Sequence, residues 1–267
     1  MACCPQIRRP EMSQSLGVAP LQALFRFPFE GSGWRNRFLV GSALILASFF
    51  IPILPLIPVC GYVLQVMRSV IHGEEPTLPP WDDWGRLGAD GLRGAAVGLV
   101  FLLPGTVVYL IGLAVYLGCI LVVPVLMGAT GRSLVLEGSL LTLVAVGTLM
   151  FFTCVALLLW LLGAVPLPVA AAHLVARDRV AAAFHVREWW PVVRANKLGL
   201  LIDWVIVAGL WTVVYLACAI LAYTAILCWL LPFVTAPALF YLALVGAAKF
   251  AQSYREGAAL AAAEGEV

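Results

Sequence analysis

The sequence predicts an all-α integral membrane protein: a helical bundle of about six membrane helices, arranged as three in–out–in hairpins, with interfacial amphipathic helices. Three observations predict it. First, 63% of the 267 residues are hydrophobic and 11% are charged, against about 45–50% and about 25% in an ordinary soluble domain. Second, charge is absent from four long stretches: Phe38–Met67, Gly94–Gly131, Gly138–Ala176 and Trp204–Ala248. Third, Lys and Arg fall in the segments between them in a one-sided pattern. With 16 basic and 14 acidic residues, the chain cannot clothe a soluble globule, which excludes a soluble enzyme and a disordered chain. A net charge of +2 is too small an electrostatic footprint for a nucleic-acid partner. The expected partners are the lipid bilayer and other membrane subunits.

A helix rises about 1.5 Å per residue and the hydrocarbon core is about 30 Å thick, so about 20 apolar residues span it. Every uncharged stretch passes that test, and each contains proline, which removes a backbone donor and kinks or stops a helix. The first holds Pro52, Pro55 and Pro58, so it reads as two arms of about 15 residues, about 22 Å each, joined by a Pro-rich turn. Such arms either cross or re-enter. The second holds Pro104 and Pro124, the third Pro166 and Pro168. The fourth holds Pro232 and Pro237 and divides into spans at roughly 198–230 and 235–250. With the first stretch going in and coming back, all but Arg132 of the 16 Lys and Arg lie on one side. The positive-inside rule then places both termini in the cytoplasm and the chain in the cell's inner (cytoplasmic) membrane.

Residues 1–20 read as a polar, disordered extension, 21–256 as one membrane domain and 257–267 as a flexible tail. No apolar run follows Arg8 and Arg9, so no cleaved signal is expected. Met12 is an alternative start to Met1. Cys3 and Cys4 sit in no lipidation consensus. Cys60, Cys119, Cys154, Cys218 and Cys228 lie in apolar stretches without CxxC spacing, which predicts small buried hydrophobes and no metal site.

Three segments mix aromatic and basic residues: 21–38, 79–93 and 180–197. Each is expected to lie in the headgroup layer, rings toward the acyl boundary. In the second, Asp82 or Asp83 follows two prolines as a helix N-cap should. Asp82–Arg86 and Asp90–Arg93 have facing helical spacings, and Trp81 and Trp84 anchor the entry. Asp82 and Asp83 point about 100° apart on a helix, a poor two-carboxylate clamp. Asp90-Gly91 opens like an alcohol-phosphotransferase motif, yet the later aspartates that would hold metals are missing.

Two polar groups fall inside apolar stretches. Asp203 is a buried ionisable residue, expected to pair with Arg194 or Lys197 and otherwise a suspect for proton or ion handling. His173 is the one candidate for ligating a pigment or haem, against a plainer reading as an interface histidine bonded to backbone. Small residues such as Gly94, Gly98, Gly112 and Gly118 mark where helices touch. No catalytic residue, cofactor or metal is predicted.

The run Gly61-Tyr62, Arg68, Gly73, Leu78-Pro79, Trp81-Asp82-Asp83-Trp84, Asp90-Gly91 resembles the signature of the DUF4013 family of bacterial and archaeal membrane proteins. A weaker block, Phe184 to Asn196, is also similar. The likeness covers about Phe25 to Tyr254. Pro79-Pro80 stands where the family has one proline and an acidic residue. The resemblance implies an integral membrane protein of unknown function and carries over no catalytic residues.

The expected role is therefore that of a non-enzymatic accessory or assembly component of a membrane complex. The alternative is a small transporter or channel-like protein, which would need the proline breaks to converge on a wet, polar cavity. A membrane enzyme would need Asp82, Asp83, Asp90 or Asp203 gathered around one cleft.

Overall fold

The computed structural model describes residues 23–122, 125, 128, 134–224 and 227–265. All regular structure among them is helical. The N-terminal extension with Met12, Cys3 and Cys4 lies outside the described residues.

A 3-10 turn, Phe27–Phe29, leads to α1 (Trp34–Ala47) and, after a turn, α2 (Leu56–Ile71). Proline decides where this hairpin turns. Pro52 and Pro55 lie in the turn and Pro58 in the first turn of α2, where a missing N–H costs nothing. Ile53 takes a left-handed conformation, φ +77. The arms have 14 and 16 residues, about 21 and 24 Å, both short of the hydrocarbon thickness. The tip is apolar and exposed through Phe49, Phe50, Ile51, Ile53 and Leu54.

Helix α3 (Trp84–Leu117) runs on into a π-helical turn, Gly118–Val122, and α4 (Leu134–Ala164) returns beside it. Pro104 lies inside α3 without ending it. The lost bond is local, and the helix is held there by α4: Gly105 admits Trp160, and Gly163 admits the carbonyl of Phe101. Trp160 Nε1 donates to Thr106 Oγ1 at 3.1 Å. A short α5 (Leu167–Arg177) follows, its first turn holding Pro168.

After a 3-10 turn, Val180–Phe184, come the amphipathic α6 (Val186–Ala195) and the long α7 (Lys197–Tyr223). In the last apolar stretch α7 ends at Tyr223, a 3-10 turn forms at Leu227–Leu230 and α8 (Leu231–Gly265) follows. The break therefore precedes Pro232, which sits in the first turn of α8, while Pro237 is carried inside the helix. Helix α8 continues through 257–265, where the sequence suggested a flexible tail. Gly257 lets the carbonyl of Val192 approach closely, so the start of this part is packed against α6, while Leu260 beyond it is exposed.

Four helical segments are long and apolar enough to cross a membrane: Trp84–Leu121, Ser139–Arg177, Lys197–Tyr223 and Leu231–Ala263. Helix α8 is the central strut. It packs on α1, α2, α6 and α7, and its Phe240, Leu244, Val245, Ala248 and Ala251 are fully buried. The α3–α4 hairpin attaches through α2 and α5, and α7 attaches through α8. The result is an open fan of helices.

Candidate functional site

The signature residues lie where α2 crosses α3. The two backbones touch. A Cβ at Gly61 would overlap the Leu87 carbonyl, and one at Gly91 would overlap the Ile57 carbonyl. Only glycine allows that approach from both sides.

The crossing brings charges together. Arg68 Nη1 lies 2.9 Å from Asp90 Oδ2. Arg93 lies 3.4 Å from the same carboxylate and Arg86 Nε 3.9 Å. Asp178 leaves α5 in a left-handed conformation, φ +49, which aims its carboxylate at Arg68 (3.3 Å) and Arg93 (3.5 Å). This network ties α2, α3 and α5. The Asp90–Arg93 pair expected from spacing is present. The Asp82–Arg86 pair is not: Arg86 turns to Asp90, and its backbone N–H donates to Asp83 Oδ1 at 2.9 Å. Asp83 is thus the N-cap, and both Asp82 and Asp83 are exposed.

The Leu-Pro-Pro-Trp segment is held through its carbonyls. Two prolines carry no N–H, so the segment offers mainly acceptors. Tyr62 is fully buried and its hydroxyl donates to Pro79 O at 2.8 Å. Arg37 donates to Leu78 O. In return Trp81 Nε1 donates to Arg37 O at 2.9 Å. The Tyr62 ring stacks on Trp81, centroids 4.1 Å apart and planes 9° apart, and Phe240 of α8 closes the cluster. Trp81 is half-buried with its ring packed against Tyr62 and Phe240, and Trp84 is exposed. Beside this segment opens a cleft of about 380 Å³, lined by Arg37, Gln65, Arg68, His72, Thr77 and Arg86 among others.

The second block is also a packing element. Trp189 is buried and its Nε1 donates to Ala183 O at 3.2 Å, while Trp190 faces outward. Asn196 caps α7 by accepting from Gly199 N at 3.2 Å and donates to Ser253 O at 3.0 Å. His173 is 2% exposed, with Nδ1 2.6 Å from the Tyr254 hydroxyl and Nε2 3.2 Å from Glu188 Oε2. A ring protonated on Nε2, accepting from Tyr254 and donating to Glu188, fits both contacts. Neither nitrogen is left for a ligand, and its partners are side chains rather than the backbone group expected. That hydrogen bond, first, and nearby His185 and Arg177 hold the Glu188 carboxyl below its ordinary range.

Asp203 is 1% exposed and pairs with neither Arg194 nor Lys197. Lys249 of α8 lies 3.1 Å from its Oδ1, off the line of a good hydrogen bond. The sequence held the signal. Asp203 and Lys249 bracket the last uncharged stretch, and folding that stretch into the α7–α8 hairpin brings its ends together. Arg37, Asp178 and Tyr254 had no such signal, because their partners are distant in sequence.

Among the described residues, no three His, Cys, Asp or Glu side chains cluster as a metal site. Asp82 and Asp83, Asp90, and Asp203 occupy separate places: an exposed cap, a three-arginine network and the α7–α8 seam.

The family model for DUF4013, a protein of unknown function, matches residues 44–223. The chain belongs to the DUF4013 family. The matched region contains the helix crossing, the Leu-Pro-Pro-Trp segment and residues 184–196, each of them a site of close packing in this DUF4013 protein. No curated protein and no solved structure matches the chain.

Proposed function

We propose that this DUF4013 protein is a non-enzymatic, multi-pass component of the cell's inner membrane that assembles with other membrane subunits. The observation that carries the reading is a set of three open glycines on the outer helices of the fan. Gly147 of α4 and Gly209 of α7 have nothing within 4 Å of where a side chain would begin, and Gly98 of α3 is equally open. Lipid tails give no hydrophobic drive between helices, so membrane helices associate where small residues let backbones come close. Gly105, Gly112 and Gly163 do this inside the molecule; Gly98, Gly147 and Gly209 are free to do it with another chain.

In this reading α3, α4, α7 and α8 cross the bilayer and the α1–α2 hairpin supplies the third in–out–in unit. Its short arms and apolar tip favour a re-entrant hairpin. Crossing or re-entrant, it returns the chain to the same face, so both termini stay cytoplasmic. The transporter alternative draws less support, since the polar clefts at Arg37 and at Arg177 are not lined by Pro52, Pro104 or Pro166.

Gentle purification from the native host tests the role. Subunits that co-purify, and that crosslink to cysteines placed at Gly147 or Gly209, are expected. A clean monomer that carries solute flux in liposomes would replace the assembly reading with the transporter. Cysteine-accessibility labelling beside Trp189 tests the topology, with the cytosolic face expected; labelling from outside requires an odd number of crossings.

A further inference from the structure

We propose that Arg37 and Arg86, in the cleft beside the Arg68–Asp90 pair, form a binding site for a phosphate group, presented by a lipid headgroup or by a free phosphate. The site is the cleft between α1, the end of α2 and the start of α3. At about 380 Å³ it is within the size range of small-ligand pockets.

Arg37 is the reason to expect an anion. Its side chain is half-buried, and among the described residues it has no carboxylate partner. The Leu78 carbonyl holds its guanidinium, while its own carbonyl is tied to Trp81. One edge of a rigid five-donor fork is thus fixed, and the remaining donors have no partner among the described residues, a pre-organised arrangement suited to phosphate.

The surrounding charges leave the cleft positive. Arg68 is balanced by Asp90 and Asp178, and Arg93 by the same pair. Arg86 reaches Asp90 only at 3.9 Å and is 58% exposed, so it can turn into the cleft. Glu74 is the one carboxylate among the lining residues, and Gln65, Ser69 and Thr77 add neutral polar groups beside the His72 ring. Arg37 and Arg86 therefore face Glu74 with an excess of one positive charge. The site does not depend on the assembly role and stands or falls separately from it.

Equilibrium binding to the full chain in detergent tests it, with inorganic phosphate, dioctanoyl phosphatidic acid and dioctanoyl phosphatidylcholine as probes. Saturable binding of phosphate, of phosphatidic acid, or of both is expected, with phosphatidylcholine weaker. Phosphate displacing phosphatidic acid identifies a free-anion site; phosphatidic acid binding alone identifies a headgroup site. Arg37→Gln and Arg86→Gln should each weaken binding about tenfold or more, since bonds to charged groups contribute about 1.5–3 kcal/mol. Arg35→Gln, an exposed cation over Trp34 outside the cleft, should leave it unchanged. If Arg37→Gln fails to fold, the exposed Arg86 carries the test. Absence of saturable binding by every probe, or equal loss in Arg35→Gln, overturns the site.

Discussion

Gly61 and Gly91 make the closest glycine–backbone approaches among the described residues. Each added methyl would meet a backbone carbonyl rather than a flexible side chain, so relief requires the helices to separate. Gly61→Ala and Gly91→Ala should each destabilise the protein by about 1–3 kcal/mol, the usual range for overpacking, read as a lower melting temperature in detergent. Gly88→Ala, with open space around it, should be silent. The buried pair Asp203–Lys249 behaves differently. Lys249→Met alone leaves an uncompensated buried carboxylate and should cost about 3–5 kcal/mol. Adding Asp203→Leu to that variant should recover most of the loss, because a removed pair leaves no stranded charge. A double variant worse than Lys249→Met would refute this coupling.

Among the elements, the Leu78–Trp81 segment depends on side chains for its shape. Tyr62→Phe keeps the stack on Trp81 and removes the bond to Pro79 O, with an expected loss of about 1 kcal/mol and faster hydrogen exchange at 81–87. Helix α6 is docked by Trp189, Asn196 and the Glu188–His173 bond. The Glu188 carboxyl is held below its ordinary value of 4.5 by that bond. A lowered folded-state pKa contributes stability that is present above the unfolded value and is lost as pH falls through the folded one. Docking of α6 should therefore loosen below about pH 4.5, seen as faster exchange over 186–195. Glu188→Gln should remove this acid dependence. Because Glu188 is half-exposed, the effect should be local and should leave global melting little changed.

Across the whole molecule, the α3–α4 hairpin is attached through α2 and α5 and α7 through α6 and α8. Their outer faces carry exposed Leu143, Phe151, Leu158, Val213, Leu216 and Ile220, which only lipid or other apolar helices can cover. Removing detergent without replacing lipid should therefore aggregate the protein. Reconstitution into nanodiscs should keep it dispersed and should protect α8 from hydrogen exchange more than α7.

Composition and apolar run lengths made the helical class legible, and Pro52, Pro55 and Pro58 the turn between α1 and α2, because bilayer thickness and the missing proline donor act locally along the chain; Pro104 and Pro237 are instead carried inside helices. The Gly-Tyr, Leu-Pro and Trp-Asp-Asp-Trp residues marked the right region for the same reason: glycine, proline and an N-cap announce their geometry without reference to distant residues. What those residues touch could not be foreseen. Arg37 meets Leu78, Arg68 meets Asp178, His173 meets Tyr254 and Asp203 meets Lys249 through packing of elements far apart in sequence. In a chain with so few charges, each such pairing is chosen by the crossing of helices rather than by spacing along one of them.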